Sequence, residues 1–181
     1  PGILADIDSG AHHIHQLALG IRTQARGEDQ RVDCDLAQVA QFAARIARAA
    51  VQGRAQLTIR GKPTRVRGGQ VKLTQVLLNL VVNAAQAMEI PGRQGRIEIG
   101  WEAEGAGVRA WVKDNGTGIP LELHEKIFEP LFTTRPVGVG TGLGLAICRD
   151  LIRAIGGEIS VASTVGEGTT MGLLLERAHF E

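Results

Sequence analysis

The sequence predicts an α+β protein, in which helices and antiparallel strand pairs follow one another along the chain. Three observations support this class. Residues 71–88 are apolar almost all round and are typical of a buried helix. Residues 97–112 alternate between apolar and polar on both sides of a turn, which indicates two paired strands. Residues 157–163 and 169–175 repeat the strand pattern near the end of the chain.

The composition is that of an ordinary globular protein with an aliphatic core. Among 181 residues, 44% are hydrophobic, 22% charged and 3% aromatic, and the net charge of +1 argues against nucleic acid as the main partner. Two distant cysteines, Cys34 and Cys148, fit a reducing compartment, so we expect a cytoplasmic protein. No apolar run approaches the roughly 20 residues that span a bilayer. The chain begins at Pro1, so we expect a fragment, with any membrane anchor outside it.

Residues 3–25 predict a helix with a heptad seam, which requires a partner helix. We expect a missing preceding helix or a second copy of the chain to supply it, and the charged residues 26–31 to form a linker. The predicted domains are therefore 1–31 and 32–181. The histidines of this helix could bind a metal, but the pattern favours exposed polar positions. The seam comprises Ile3, Ile7, Gly10, Ile14, Leu17 and Ile21, and the histidines are His12, His13 and His15.

Asp35 is a predicted N-cap for the next helix, which starts at Leu36. Its predicted apolar face consists of Val39, Phe42, Ala43, Ile46 and Ala50. Residues 56–60 alternate like a strand, and glycines and a proline then mark turns before the buried helix at residues 71–88.

The buried helix carries an unexpected stripe of amides. Gln75, Asn79 and Asn83 are four residues apart and share one face, with Lys72 on nearly the same line. Buried amides destabilise a fold unless they are hydrogen-bonded. Two interpretations stay open. The stripe binds a polar ligand, with amide oxygens on Mg²⁺ and Lys72 on phosphate, or it only bonds a neighbouring loop.

Residues 113–120, KDNGTGIP, combine a carboxylate with glycines that allow a sharp turn. Asp114 ends a strand, so its side chain can accept a hydrogen bond from an exocyclic amine such as that of adenine. A calcium loop or a plain turn would have a similar D-x-G-x-G pattern.

Residues 127–145 contain a second candidate ligand-binding region. The glycines of VGVGTGLGL (137–145) precede a predicted helix at 143–155, and their N–H groups can hold phosphates unless the loop is merely flexible. In IFEPLFTTR (127–135), Thr133, Thr134 and Arg135 can also bond phosphate oxygens. Phe128, Leu131 and Phe132 either anchor this loop as a lid or belong to the core.

These four stretches together resemble the ATP-binding catalytic domain of bacterial sensor histidine kinases, of the gyrase-type ATPase superfamily. NLVVNA (79–84) is similar to the N box and DNGTGIP (114–120) to the G1 box. IFEPLFTT (127–134) is similar to the F box and GTGLGL (140–145) to the G2 box. The resemblance covers about residues 32–177, and residues 1–27 resemble the second helix of the dimerisation and phosphotransfer hairpin.

The resemblance implies a Bergerat-type two-layer α/β sandwich, with helices on one face of a mixed sheet, and ATP and Mg²⁺ as cofactors. It implies that Asp114 bonds the adenine amine, that Asn83 ligates Mg²⁺, and that Asn79 holds the metal–triphosphate end. Asn79 and Lys72 are the implied catalytic residues, and Lys72 and Arg135 the implied phosphate contacts. The other implied ATP contacts are Gly116, Gly118, Ile119, Thr133, Thr134, Gly140, Thr141, Gly142, Leu143, Gly144, Leu145 and Thr169.

The residue at position 79 bears on the reaction. Gyrase-like relatives have a water-activating glutamate there, whereas an amide cannot act as a general base. The resemblance therefore implies phosphoryl transfer to a histidine, then to a response-regulator aspartate, by a homodimer formed through the helix hairpin. We expect the acceptor histidine upstream of Pro1, so that this chain alone does not autophosphorylate. The alternatives are a serine kinase of the anti-sigma type and a non-catalytic binding or dimerisation module.

Overall fold

The computed structural model describes residues 32–88, 90–135 and 140–178. The predicted N-terminal helix with its three histidines, the linker and the boundary after residue 31 lie outside the described residues. Gly138 of the predicted phosphate loop also lies outside them.

A five-stranded mixed sheet forms one layer of the fold. The strands are β1 (Asp33–Asp35), β2 (Ala55–Arg60), β3 (Arg65–Arg67), β4 (Gly95–Glu104), β5 (Gly107–Asp114), β6 (Glu158–Thr164) and β7 (Gly168–Glu176). The large sheet has the order β2-β4-β5-β7-β6, in which only the β2–β4 pair is parallel. Strands β1 and β3 form a separate antiparallel pair that the sequence did not predict.

Three helices form the second layer. They are α1 (Leu36–Val51), α2 (Gln70–Gln86) and α3 (Gly144–Ala154), and short 3-10 turns cover Leu121–Leu123 and Lys126–Phe128. α2 packs against both other helices and against β4 and β5. It is buried almost all round, as its sequence predicts, and the α+β class with helices on one face of a mixed sheet is confirmed.

α1 begins as predicted, and all of its predicted apolar face except Phe42 packs against the core. The Asp35 carboxylate accepts a hydrogen bond from the Ala37 N–H at 2.9 Å and caps the helix. The predicted burial of Phe42 is wrong: its side chain is 39% exposed and stacks under the Arg45 guanidinium. The fully buried residues are Leu36, Val39, Ala40, Ala43, Ala47 and Val51, whose alanines allow a close approach to α2.

Both tryptophans pack on the sheet. Trp101 is buried, and its indole N–H donates to the Lys62 carbonyl at 2.7 Å. Trp111 lies on the outer face across Gly100, where a Cβ would come within 2.3 Å of the indole ring. Within the ranges given above, none of the helices has the length and apolarity that crossing a bilayer requires.

Candidate nucleotide-binding site

Asp114 lies at the end of β5 with one carboxylate oxygen engaged and the other available. Its side chain is 8% exposed, and Oδ1 accepts hydrogen bonds from the N–H groups of Gly116 at 2.8 Å and Thr169 at 3.3 Å. Oδ2 accepts no hydrogen bond from the described residues. Burial raises the pKa of Asp114, and the two backbone N–H groups oppose that rise. A ligand amine at Oδ2 would provide the missing donor.

The loop after Asp114 is held between α2 and the β6–β7 hairpin. The Thr117 N–H donates to the Ala87 carbonyl at 3.0 Å, just past the end of α2. A Cβ on Gly116 would come within 2.5 Å of that carbonyl oxygen, and one on Gly118 (φ +72°) within 2.1 Å of the Thr164 oxygen. Both glycines are therefore required by close backbone approach.

A serine that the sequence analysis missed joins this loop to Thr169. Ser163 Oγ accepts from the Ile119 N–H at 2.8 Å, donates to the Gly168 carbonyl at 2.8 Å, and lies 2.9 Å from Thr169 Oγ1. The sequence could have indicated Ser163, because it continues the alternation of Ile159 and Val161 on the inward face of β6.

The amide stripe on α2 meets the start of α3. Asn79 is 3% exposed, and its Nδ2 donates to the Gly144 carbonyl at 3.4 Å. It also bonds the thiol of Cys148, whose pKa burial raises to about 12 while the Asn79 bond lowers it. The side chain of Asn79 is therefore hydrogen-bonded to neighbouring protein groups, as in the second interpretation of the amide stripe.

Asn83 differs from Asn79, because its half-buried amide has no hydrogen-bond partner among the described residues. Its Nδ2 lies 3.9 Å from the position that a Cβ on Gly144 would take. The first turn of α3 has no side-chain cap, so its N–H groups are available to an anion beside Asn83. An amide oxygen next to an open helix N-terminus suits a cation–phosphate pair.

Lys72 lies near the start of α2, at the opposite end of the helix from Asn83. It is 8% exposed and seven positions before Asn79, which corresponds to a rise of about 10 Å along α2. α3 runs antiparallel to α2 here, since Cys148 Sγ approaches the Val76 carbonyl at 3.9 Å while Gly144 approaches Asn79. By this register Lys72 lies toward the C-terminal end of α3, and its phosphate contact stays a prediction.

The F box and the G2 box contact each other directly. The Leu131 N–H donates to the Gly142 carbonyl at 3.0 Å, and a Cβ on Gly142 would come within 2.4 Å of the Leu131 carbonyl carbon. Leu131 has a φ of +68° and is 72% exposed, Phe132 is half-buried, and Phe128 belongs to the core.

The end of the F box returns to α2. The Arg135 guanidinium bonds Gln86 Oε1, and the Arg135 N–H donates to Thr133 Oγ1 at 3.1 Å. Gln86 lies one turn beyond Asn83, so Arg135 is held near the exposed end of the stripe. The other residues predicted to contact ATP differ in exposure. Thr134 and Thr141 are exposed, and Gly140, Leu143, Gly144 and Leu145 are half-buried.

The chain contains one histidine followed by an acidic residue, His124 and Glu125, which the sequence analysis overlooked. It lies between the G1 and F boxes, where the His124 ring bonds the Ile119 carbonyl at 3.2 Å. The pair lies in the turn between the two short 3-10 segments and not on a long helix.

No group of three or more His, Cys, Asp or Glu side chains suited to a metal occurs within the described part of the chain. A magnesium ion here would rely on Asn83 and on oxygens supplied by phosphate and water, which is a usual environment for Mg²⁺.

A family model and curated proteins match more than half of the chain. The family model described as histidine kinase-, DNA gyrase B-, and HSP90-like ATPase matches residues 68–179. The chain is 46% identical over 104 residues to the sensor histidine kinase ZraS of Escherichia coli, covering 58% of this chain and 21% of ZraS.

Solved structures extend the likeness to the fold. The catalytic domain of histidine kinase ThkA superposes with a TM-score of 0.70 at 31% identity, covering 81% of this chain and 95% of that one. Full-length ShkA in complex with AMPPNP superposes with a TM-score of 0.69 at 25% identity, covering 83% of this chain and 32% of ShkA. The family expected from the four boxes is confirmed, and the chain spans about a fifth of the curated relative ZraS.

Proposed function

Because the chain belongs to the histidine kinase-, DNA gyrase B- and HSP90-like ATPase family, we propose that it is the catalytic region of a two-component sensor histidine kinase. In this proposal it binds Mg²⁺–ATP and transfers the γ-phosphoryl group to a histidine outside the described residues. A receiver-domain aspartate of a response regulator then takes the phosphoryl group. The region acts in the cytoplasm, where ATP is available, as part of a homodimer formed through an N-terminal helix hairpin.

The observation that carries the proposal is the unpaired acceptor oxygen of Asp114. A buried carboxylate with one oxygen held by two N–H groups and the other unpaired is arranged to receive a donor. The 6-amino group of adenine is such a donor. Gly116, Gly118 and Ile119 would frame the base, with Thr169 beside it. The structure of the similar protein ShkA was solved in complex with AMPPNP, which supports nucleotide binding by this fold.

The phosphate end would be formed by three parts of the chain. Asn83 would hold Mg²⁺, and the open N-terminus of α3 with Gly140, Thr141, Gly142, Leu143, Gly144 and Leu145 would surround the triphosphate. Thr133, Thr134 and Arg135 would bond phosphate oxygens. Bound Mg²⁺ would neutralise charge on the phosphates, and these residues would position the γ-phosphoryl group.

The amide at position 79 favours transfer of the γ-phosphoryl group to a protein acceptor over hydrolysis of ATP. The Asn79 amide is committed to the Gly144 carbonyl and the Cys148 thiol and cannot remove a proton from water. ATP would therefore persist until an acceptor histidine arrives. The relatives ZraS and ThkA are histidine kinases, and no observation here favours the serine kinase or the non-catalytic module.

The proposal is tested by calorimetry of Mg²⁺–ATP binding, with GTP and a metal-free chelated buffer as comparisons. We expect binding of ATP and not of GTP, weakened by chelation, and slow ATP hydrolysis. Asn83→Ala should weaken Mg²⁺–ATP binding about tenfold or more, because a charge-assisted contact is lost.

The matched control is Gln41→Ala, which removes an exposed amide from α1, a helix that carries none of the four boxes. It should leave the affinity unchanged. Absence of ATP binding, or rapid multiple-turnover hydrolysis by the wild-type chain, would contradict the proposal.

A further inference from the structure

The hydroxyl of Ser163 has three hydrogen-bond neighbours but only one proton to donate. A serine hydroxyl can donate one hydrogen bond and accept two. Ser163 Oγ lies within hydrogen-bond distance of the Ile119 N–H, the Gly168 carbonyl and Thr169 Oγ1. The direction of each bond follows from the chemistry of the partner.

Two of the three directions are fixed by groups that cannot change role. The Ile119 N–H can only donate, at 2.8 Å, and the Gly168 carbonyl can only accept, at 2.8 Å. The single proton of Ser163 is therefore used on Gly168. Thr169 must donate its own proton to Ser163 across 2.9 Å, which leaves Thr169 Oγ1 with lone pairs only.

Thr169 and Asp114 are direct cross-strand partners on β7 and β5. Their side chains lie on the same face of the sheet, and both are buried, at 7% and 8% exposure. The free groups that they offer to a base, Thr169 Oγ1 and Asp114 Oδ2, are then both acceptors. A ligand edge with a donor fits this pair, whereas an edge with a carbonyl faces two sets of lone pairs.

We propose that Ser163 is a positioning residue for base specificity, which fixes Thr169 as an acceptor and so favours a 6-amino purine over a 6-oxo purine. This inference rests on the proposed nucleotide-binding function and specifies how the same site selects its substrate. Ser163 acts through Thr169 and does not itself touch the base.

The test compares dissociation constants for ATP and inosine triphosphate, which carries an oxygen at position 6. In Ser163→Ala the Thr169 hydroxyl loses its acceptor and becomes free to donate to that oxygen. We expect the ratio of the two constants, inosine triphosphate over ATP, to fall about fivefold, as for one neutral hydrogen bond. Ser163→Thr retains the hydroxyl and should restore the ratio.

Ser160→Ala is the matched control, because Ser160 lies on the outward face of the same strand. It should leave the ratio unchanged. A general loss of loop order would weaken both nucleotides alike, so the ratio separates specificity from structural damage. In a Thr169→Val background, Ser163→Ala should have no further effect on the ratio, because the hydroxyl through which it acts is gone.

If Ser163→Ala does not fold, Ser163→Cys takes its place, because a thiol is a weaker acceptor than a hydroxyl, and the ratio of the two dissociation constants must fall in that variant. An unchanged ratio in Ser163→Ala, or an additive effect in the Thr169→Val background, would overturn the role of Ser163 while leaving ATP binding intact. Failure of the wild-type chain to bind ATP would overturn the proposed function as well.

Discussion

Asp114 combines a structural contribution with a destabilising charge. Its Oδ1 organises the loop through Gly116 and the β7 strand through Thr169, yet burial raises the pKa of the carboxyl group. Because the pKa of Asp114 is higher in the folded chain than in the unfolded chain, protonated Asp114 stabilises the fold. This stabilisation is fully present at pH values below the pKa of the unfolded chain. That stability is lost as pH rises through the folded pKa. At neutral pH the ionised side chain therefore weakens the fold, while its Oδ2 stays available to a ligand.

Asp114→Asn should separate these two effects. Asparagine keeps an oxygen for the two backbone N–H groups and removes the buried charge, so the Tm at pH 7 should rise above that of wild type. The Tm difference should shrink as pH falls through the folded pKa. ATP affinity should fall about tenfold or more, because a charged acceptor is lost.

Scanning fluorimetry and calorimetry measure the two effects separately. Asp150→Asn, at an exposed position on α3, is the control and should change neither value. A lower Tm in Asp114→Asn at pH 7 would contradict the argument.

At the level of elements, the contact between the F box and the G2 box depends on Gly142. Gly142 has a φ of +64°, and a Cβ there would collide with the Leu131 backbone at 2.4 Å. Gly156, after α3, has a φ of +75° but no atom within 4 Å of such a Cβ. Both glycines have a positive φ, but only at Gly142 would a Cβ collide with other atoms.

We therefore expect different results from the same substitution at the two glycines. Gly156→Ala should lower the free energy of unfolding by about 1 kcal/mol, the cost of a left-handed alanine, and leave ATP binding intact. Gly142→Ala should also displace Leu131 and weaken ATP binding about tenfold or more, because the phosphate loop is no longer held against the F box. Urea unfolding and calorimetry of both variants measure this. Equal ATP affinities in the two variants would refute it.

At the scale of the whole molecule, the small sheet and the helical layer share one core. Cys34 on β1 and Cys148 on α3 are both buried and belong to the same hydrophobic cluster. The pKa of Cys148 is raised to about 12 by burial, so the reactive thiolate is scarce at neutral pH.

We expect both thiols to resist iodoacetamide in the native chain at pH 8 and to react quickly in concentrated guanidinium. If the core unfolds cooperatively, the two thiols should become reactive at the same denaturant concentration. Cys34→Ala and Cys148→Ala assign the signals by mass spectrometry. Labelling of Cys34 well before Cys148 would show that the small sheet opens independently.

The elements and the boxes could largely be predicted because their signals are local. The all-round apolar pattern of α2, the Asp35 cap and the alternation in β4 and β5 each involve neighbours within one segment. The burial of Phe42 was wrong because helical periodicity leaves the exact direction of the core open by part of a turn. The β1–β3 pair was missed because strands of three residues have almost no periodicity.

The sequence by itself determined the family, the order of the four boxes and the amide at position 79, from which we propose slow hydrolysis. Only the tertiary structure decided which lone pairs and amides stay unpaired. Ser163 contacts Ile119 across 44 positions, and Asn79 contacts Gly144 across 65 positions. Hydrogen-bond direction and burial depend on such distant partners, which the covalent order of the chain does not reveal.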